Sequence, residues 1–211
     1  MSGIYGVYLP AMQAVMKELE RRIDGIRKDM KEKMGMDPVE HCLARIKSEE
    51  SMREKCRRRS LPETSESALE QIHDAIGIRI VCAFVDDVYA IRDAIAAFPD
   101  CEVVEEKDYI RHVKPNGYRS YHLIIRFHCE QMNDLGGNPG RPYYYTEFQL
   151  RTISQDTWAA LEHHLKYKKQ VDGNTKLIVA ELKRCADELA STDISMQAIR
   201  DMIRSGSGQD S

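Results

Sequence analysis

Three short stretches carry residue types suited to phosphate chemistry. "YTEFQLRT", from Tyr145 to Thr152, alternates, so Glu147, Gln149 and Arg151 share one face of a strand while Phe148 and Leu150 take the other. Burying three charged or amide groups without partners is costly, and that favours a site. "HDAIGIR" puts Asp74 just before an apolar strand and Arg79 within it. Asp74 fits a turn cap equally well, or an oxygen ligand for Mg²⁺ paired with Glu147, which is also a candidate base. "RIKSEESMREKCRRR" packs Arg45, Lys47, Arg53, Lys55, Arg57, Arg58 and Arg59 around Ile46, Met52 and Cys56. Such a run often lies on a solvated helix face, but apolar anchors between the cations would fix some of them for phosphate.

A fourth stretch, "KPNGYRSYHLIIRF" from Lys114 to Phe127, joins a Pro-Asn-Gly turn to an apolar strand and sets Lys114, Tyr118 and His122 at its mouth. An ordinary hairpin with aromatics on its solvated face would read the same way. The His73-Asp74 pair suggests a phosphohydrolase, yet the further His and His-Asp elements of such an enzyme are missing.

These groups need a scaffold, and hydropathy supplies its outline. Met12, Val15, Met16, Leu19, Ile23, Ile26 and Met30 recur at helical spacing from Pro10 to about Gly35. Asp37-Pro38 then predicts a second short helix carrying Val39, Cys42 and Leu43. Ser48 with Glu49 and Glu50 opens another helix, and "SLPETSES" reads as a loop. A strand is expected over Ile76–Phe84, a helix over "DDVYAIRDAIAAF", and strands over Glu102–Arg111, Tyr118–Phe127 and Tyr143–Arg151. The insertion "NDLGGNPGRP" reads as a mobile hairpin loop. "ISQDTWAALEHHLKYKK" and Asn174–Ile203 read as helices, and Ser205–Ser211 as a disordered tail.

With 211 residues, 31% of them charged, and a net charge of -3, the chain suits a globular protein rather than one that binds nucleic acid by bulk charge. The six cysteines show no metal or disulfide spacing, and no targeting or membrane-spanning run is evident. A cytoplasmic setting is expected. The element order implies one α/β (α+β) domain over 1–204: an N-terminal helix (1–36), a central core (37–170) and a C-terminal helix (171–204).

Taken in order, "RIKSEESMREKCRRR", "DAIGIRIV", "KDYIRHVKPNGYRSYH", "YTEFQLRT" and "DTWAALEHHLKYK" resemble the RelA/SpoT-type synthetases, in particular the single-domain small alarmone synthetases. The resemblance implies a mixed five-stranded, nucleotidyltransferase-like sheet flanked by the terminal helices. It implies transfer of the β,γ-pyrophosphate of ATP to the ribose 3′-hydroxyl of GDP or GTP. Arg45 and Arg79 would stack on adenine, and Lys47, Lys55 and Arg58 would neutralise the triphosphate. Asp74 and Glu147 would hold Mg²⁺, with Glu147 also the base. Tyr118 would stack on guanine, Lys114 and His122 would meet the acceptor phosphates, and Gln149 would support the site. The relatives' ring-like tetramers imply a homotetramer built through the terminal helices. Two other readings stand beside this one: a toxic relative that modifies adenine nucleotides or the tRNA 3′ end, and a non-catalytic module binding single-stranded RNA through the basic segment.

Overall fold

A computed structural model describes residues 3–129, 140–167 and 175–206. Helix α1 (Leu9–Met34) has Pro10 in its first turn and buries Ala11, Met12, Val15, Leu19 and Ile23 along one stripe. Gly35 ends it with φ +69°, a left-handed conformation in which its N–H reaches the Lys31 carbonyl.

Strand β1 (Val39–Ile46) replaces the short helix expected there. Asp37 does not cap a helix: it accepts from Arg27 Nε at 2.8 Å and from the Val39 N–H at 3.1 Å. Cys42, Ala44 and Ile46 then alternate with exposed His41, Leu43 and Arg45, and the strand pairs antiparallel with the next one. Pairing against a strongly apolar neighbour overrides a local helix signal of only two residues. After α2 (Glu49–Arg58), capped by Ser48, the expected loop runs from Ser60 into a one-turn π segment at Ser67–Gln71.

Strand β2 (Ile76–Cys82), helix α3 (Val85–Ala96), β3 (Cys101–Asp108), β4 (Tyr121–His128) and β5 (Tyr143–Thr152) follow. The five strands form one mixed sheet in the order β1-β2-β5-β4-β3, with β2 and β5 parallel and every other pair antiparallel. The expected five-stranded sheet is therefore present, and β1 is the strand the hydropathy pattern did not reveal. One face carries Ile78, Ile80, Leu123, Ile125, Phe148 and Leu150 into a core closed by α1 and α3. Burial at about 25 cal/mol per Å² of apolar area makes this the main source of stability.

Helix α4 (Ile153–Tyr167) leaves β5 directly and packs on β5, β2 and α5 (Thr175–Gly206). Ser205 and Gly206, expected in the tail, continue α5 instead. Residues 207–211 and residues 133–139 of the expected hairpin loop lie outside the described residues. Tyr118, Arg119 and Ser120 precede β4 and belong to the turn before it. Among the described residues no helix is long and apolar enough to cross a membrane.

Candidate active site

Strand register builds the site. On the face opposite the core, one row across the sheet reads Leu43, Arg79, Gln149, His122 and Lys107, and the next reads Arg45, Gly77, Glu147, Ile124 and Glu105. Gly77 has no side chain, and a Cβ built there meets nothing within 4 Å. The gap it leaves between Arg45 and Glu147 is the floor of a cleft of about 240 Å³. Lys47 and Asp74 line one end of this cleft, and Leu43, Arg79 and Gln149 line its sides.

The Asp74 carboxylate accepts from Lys47 Nζ at 2.6 Å and Lys55 Nζ at 2.5 Å, both through Oδ2. Its Oδ1 is buried with no hydrogen-bond partner. Burial pushes the Asp74 carboxyl up, but the two lysines outweigh this and hold it below its ordinary range. Burial also pushes the Lys55 ammonium down, only partly offset by Asp74. Glu147 is likewise raised by burial and lowered further by His122 and Gln149, so it is ionised at neutral pH. An unsatisfied buried carboxylate oxygen beside a second ionised carboxylate fits a hard cation such as Mg²⁺, which takes one or two protein carboxylates and completes its shell with phosphate and water.

A second network reaches the turn before β4. Arg151, on the same face as Glu147 and Gln149, donates to Tyr118 Oη at 2.9 Å, Gln149 Oε1 at 3.0 Å and Asp156 Oδ1 at 3.0 Å. Tyr118 Oη therefore points its own proton at His122 Nε2, 2.8 Å away. That selects the His122 tautomer whose Nδ1–H donates to Glu147 Oε1 at 3.2 Å. Gln149 Nε2 donates to the other Glu147 oxygen at 3.0 Å, so the carboxylate is gripped from both sides. Lys114 Nζ lies over the rings of Tyr109 and Tyr118, 4.2 and 4.8 Å from their centroids.

Ten of the eleven residues singled out in the sequence thus gather on or beside this face. Arg58 differs: it is exposed at the last turn of α2 and off the cleft lining. Arg79 stands beside Arg151 and Arg45, and burial and this repulsion lower its pKa; Asp156 offsets them, 3.4 Å from its Nη1. Tyr5 was not foreseen. Buried to 1% exposure, it donates its hydroxyl to the Lys47 carbonyl at 2.7 Å, fixing the backbone of a cleft lysine from the N-terminus. Nothing in the local sequence marks it, because the contact spans 42 residues.

The sequence profile described as a region found in RelA / SpoT proteins matches residues 44–172, which include both carboxylates, the cation segment from Arg45 and the Tyr118 turn. The chain belongs to this RelA/SpoT family. Among family relatives, the GTP pyrophosphokinase YwaC of Bacillus subtilis (strain 168) is 39% identical over 166 residues, 79% of this chain and 76% of the relative. The GTP pyrophosphokinase YjbM of the same strain is 33% identical over 197 residues, 93% and 88% of the two chains. A crystal structure of the small alarmone synthetase 1 of Bacillus subtilis bound to its product pppGpp superposes with a TM-score of 0.78, 30% identity, and coverage of 94% and 96%. The structural likeness extends past the matched region to both terminal helices.

Proposed function

We propose that this RelA/SpoT-family chain is a (p)ppGpp synthetase: it moves the β,γ-pyrophosphate of ATP to the ribose 3′-hydroxyl of GDP or GTP and releases AMP. The observation that carries the reading is the cleft itself. It brings two ionised carboxylates, Asp74 and Glu147, together with the paired ammoniums of Lys47 and Lys55 and the flanking guanidiniums of Arg45 and Arg79. A pure RNA-binding surface needs cations and stacking groups but gains nothing from inward carboxylates.

In this reading Arg45 and Arg79 sandwich adenine, and Lys47 and Lys55 neutralise the triphosphate at the Asp74 end. Arg58 can touch only the outer part of that chain, from solvent. Tyr118 stacks on guanine and Lys114 meets the acceptor phosphates, while His122 links the Tyr118 hydroxyl to Glu147. Gln149 and the His122 Nδ1–H keep Glu147 in one rotamer, aimed at the acceptor hydroxyl. Glu147 takes the 3′-hydroxyl proton as O3′ bonds to the β-phosphorus, the bridging bond to the α-phosphate breaks, and AMP leaves. Asp74 and Glu147 are the residues to hold Mg²⁺, which when bound stabilises charge on the transferred group. The protein supplies alignment and electrostatics, with no covalent intermediate of its own.

A cytoplasmic homo-oligomer, most simply a tetramer, belongs to the same proposal. Its support is the exposed apolar side chains of α5, where Ile194 is 69% exposed and Ile199 and Met202 are exposed as well. Light scattering that gives a stable monomer at micromolar concentration would remove it. The activity itself is tested by incubating purified protein with γ-labelled ATP and GDP, GTP, AMP, ATP or tRNA. Label on the guanine nucleotides alone is expected. Label on an adenine nucleotide or tRNA would show the toxic relative instead, and RNA binding without any transfer would show the non-catalytic module.

A further inference from the structure

The sheet reaches the turn that carries Lys114 and Tyr118 through the Tyr118 hydroxyl, which bonds His122 of β4 and Arg151 of β5. Within the turn, the Gly117 N–H reaches the Lys114 carbonyl at 2.8 Å and the Tyr118 N–H reaches Asn116 Oδ1 at 3.2 Å. Its other contacts outward run to α4, where Asn116 Nδ2 donates to Glu162 Oε1 at 3.2 Å, and to α5. Gly117 has φ +92°, and a Cβ there would lie 2.6 Å from the Ala186 Cβ and 3.0 Å from the Lys183 Cα, so the turn rests almost backbone to backbone on α5. Arg119 links the same two pieces: Nη1 donates to the Gly117 carbonyl at 3.2 Å and Nη2 to Asp187 Oδ1 at 2.8 Å. Lys183 holds the other Asp187 oxygen at 2.6 Å. Trp158 of α4, 5% exposed, donates Nε1–H to the Leu182 carbonyl at 2.8 Å and fixes that turn of α5 in place.

We propose that α5 is a positioning element of the acceptor site, with Ala186 and Asp187 seating the Gly117 turn so that Lys114 and Tyr118 face the cleft. None of these α5 groups lines the donor cleft. Shifting α5 by the width of one methyl group therefore moves the acceptor ring and ammonium while leaving Lys47, Asp74 and Arg79 where they are. The small residue at 186 and the glycine at 117 are a matched pair: either one enlarged separates the two backbones. The proposal rests on the reading that this turn binds the guanine nucleotide, and its test separates the two claims.

Asp187→Ala and Ala186→Val are compared with wild type in full-length protein by steady-state kinetics and by amide hydrogen exchange of residues 114–118. A partly exposed ion pair of this kind predicts a rise in the KM for the guanine nucleotide of about two- to fivefold in Asp187→Ala, with the KM for ATP unchanged. Asp187→Glu should restore most of it, which a change in overall stability would not. Exchange at Gly117 and Tyr118 should quicken in both variants. Unchanged exchange and unchanged acceptor KM in both would overturn the proposal, as would equal rises for ATP and acceptor. Faster exchange with no change in acceptor KM also overturns it. In that case Tyr118→Ala assigns the fault: if it too is silent, the turn is not the acceptor site, and if it weakens the acceptor, the site stands and α5 does not position it.

Discussion

The two halves of the proposed site, one for the donor and one for the acceptor, are built differently. The donor half rests on β1, β2 and β5, and hydrogen-bond register alone sets Arg45 beside Gly77 and Gly77 beside Glu147. Two of its cations, Lys47 and Lys55, are paired on one oxygen of Asp74. The acceptor half hangs on a turn, with Lys114 on the Tyr109 and Tyr118 rings and Tyr118 tethered by one hydroxyl to His122 and Arg151. A strand-built half keeps its geometry when a side chain is trimmed, because the ladder does not depend on it. A turn-built half depends on each contact that seats it. Damage to the donor half should therefore appear in chemistry and in ATP handling, and damage to the acceptor half in guanine-nucleotide affinity alone.

The largest effect that sharpens this contrast is expected from Glu147→Gln, which keeps the shape and one of the two neighbouring hydrogen bonds, sets an amide NH₂ against the other donor, and removes the base and a charge. Turnover should fall by about 10²- to 10⁴-fold while calorimetry shows ATP still bound. Near-native turnover would take Glu147 out of the mechanism. Gly77→Val comes next. The strand tolerates valine and the space is open, so the melting temperature should hold. The new methyls occupy the cleft floor, and kcat/KM for ATP should drop by about 100-fold. A fully active variant would move the donor elsewhere.

How much of this was legible in the sequence divides along the same line. Alternation in "YTEFQLRT" placed Glu147, Gln149 and Arg151 on one face, as the register bears out. Both edges of α2 and the burial of Met52 and Cys56 also followed from local signals. Strand β1 did not, because its identity comes from β2 lying beside it and not from its own residues. Nor did Tyr5, whose partner is remote, or the closeness of Gly117 to α5, which depends on how two segments nearly 70 residues apart pack. Charge density alone did not separate Arg58, exposed at the last turn of α2, from Lys47 and Lys55, which turn in to Asp74.

Tyr118→Ala should break the acceptor half, raising the Kd for guanine nucleotide by about 1–3 kcal/mol in free energy and leaving that for ATP alone. Equal losses for both nucleotides in a calorimeter would end the assignment. The smallest effect concerns stability. Asp74→Asn leaves the Lys47 and Lys55 ammoniums without their counter-ion, at an expected cost of about 1–2 kcal/mol near neutral pH, reduced because water still reaches these groups. The folded Asp74 carboxyl lies below its ordinary value of 3.8, so wild type holds this stability above about pH 4 and loses it as the pH falls through the depressed folded value. Denaturant melts of wild type and variant should therefore converge in acid; a gap that widened instead would reverse the sign of the interaction.

The most direct test of the account is the product balance of a single turnover. With enzyme in excess over ATP labelled in its γ-phosphate and GDP present, ion-exchange chromatography should find one AMP for each labelled guanosine product, with wild type completing the exchange and Glu147→Gln barely starting it. ADP as the nucleotide left behind would mean that one phosphoryl group, not a pyrophosphate, leaves the cleft, and would contradict the mechanism drawn from Asp74 and Glu147.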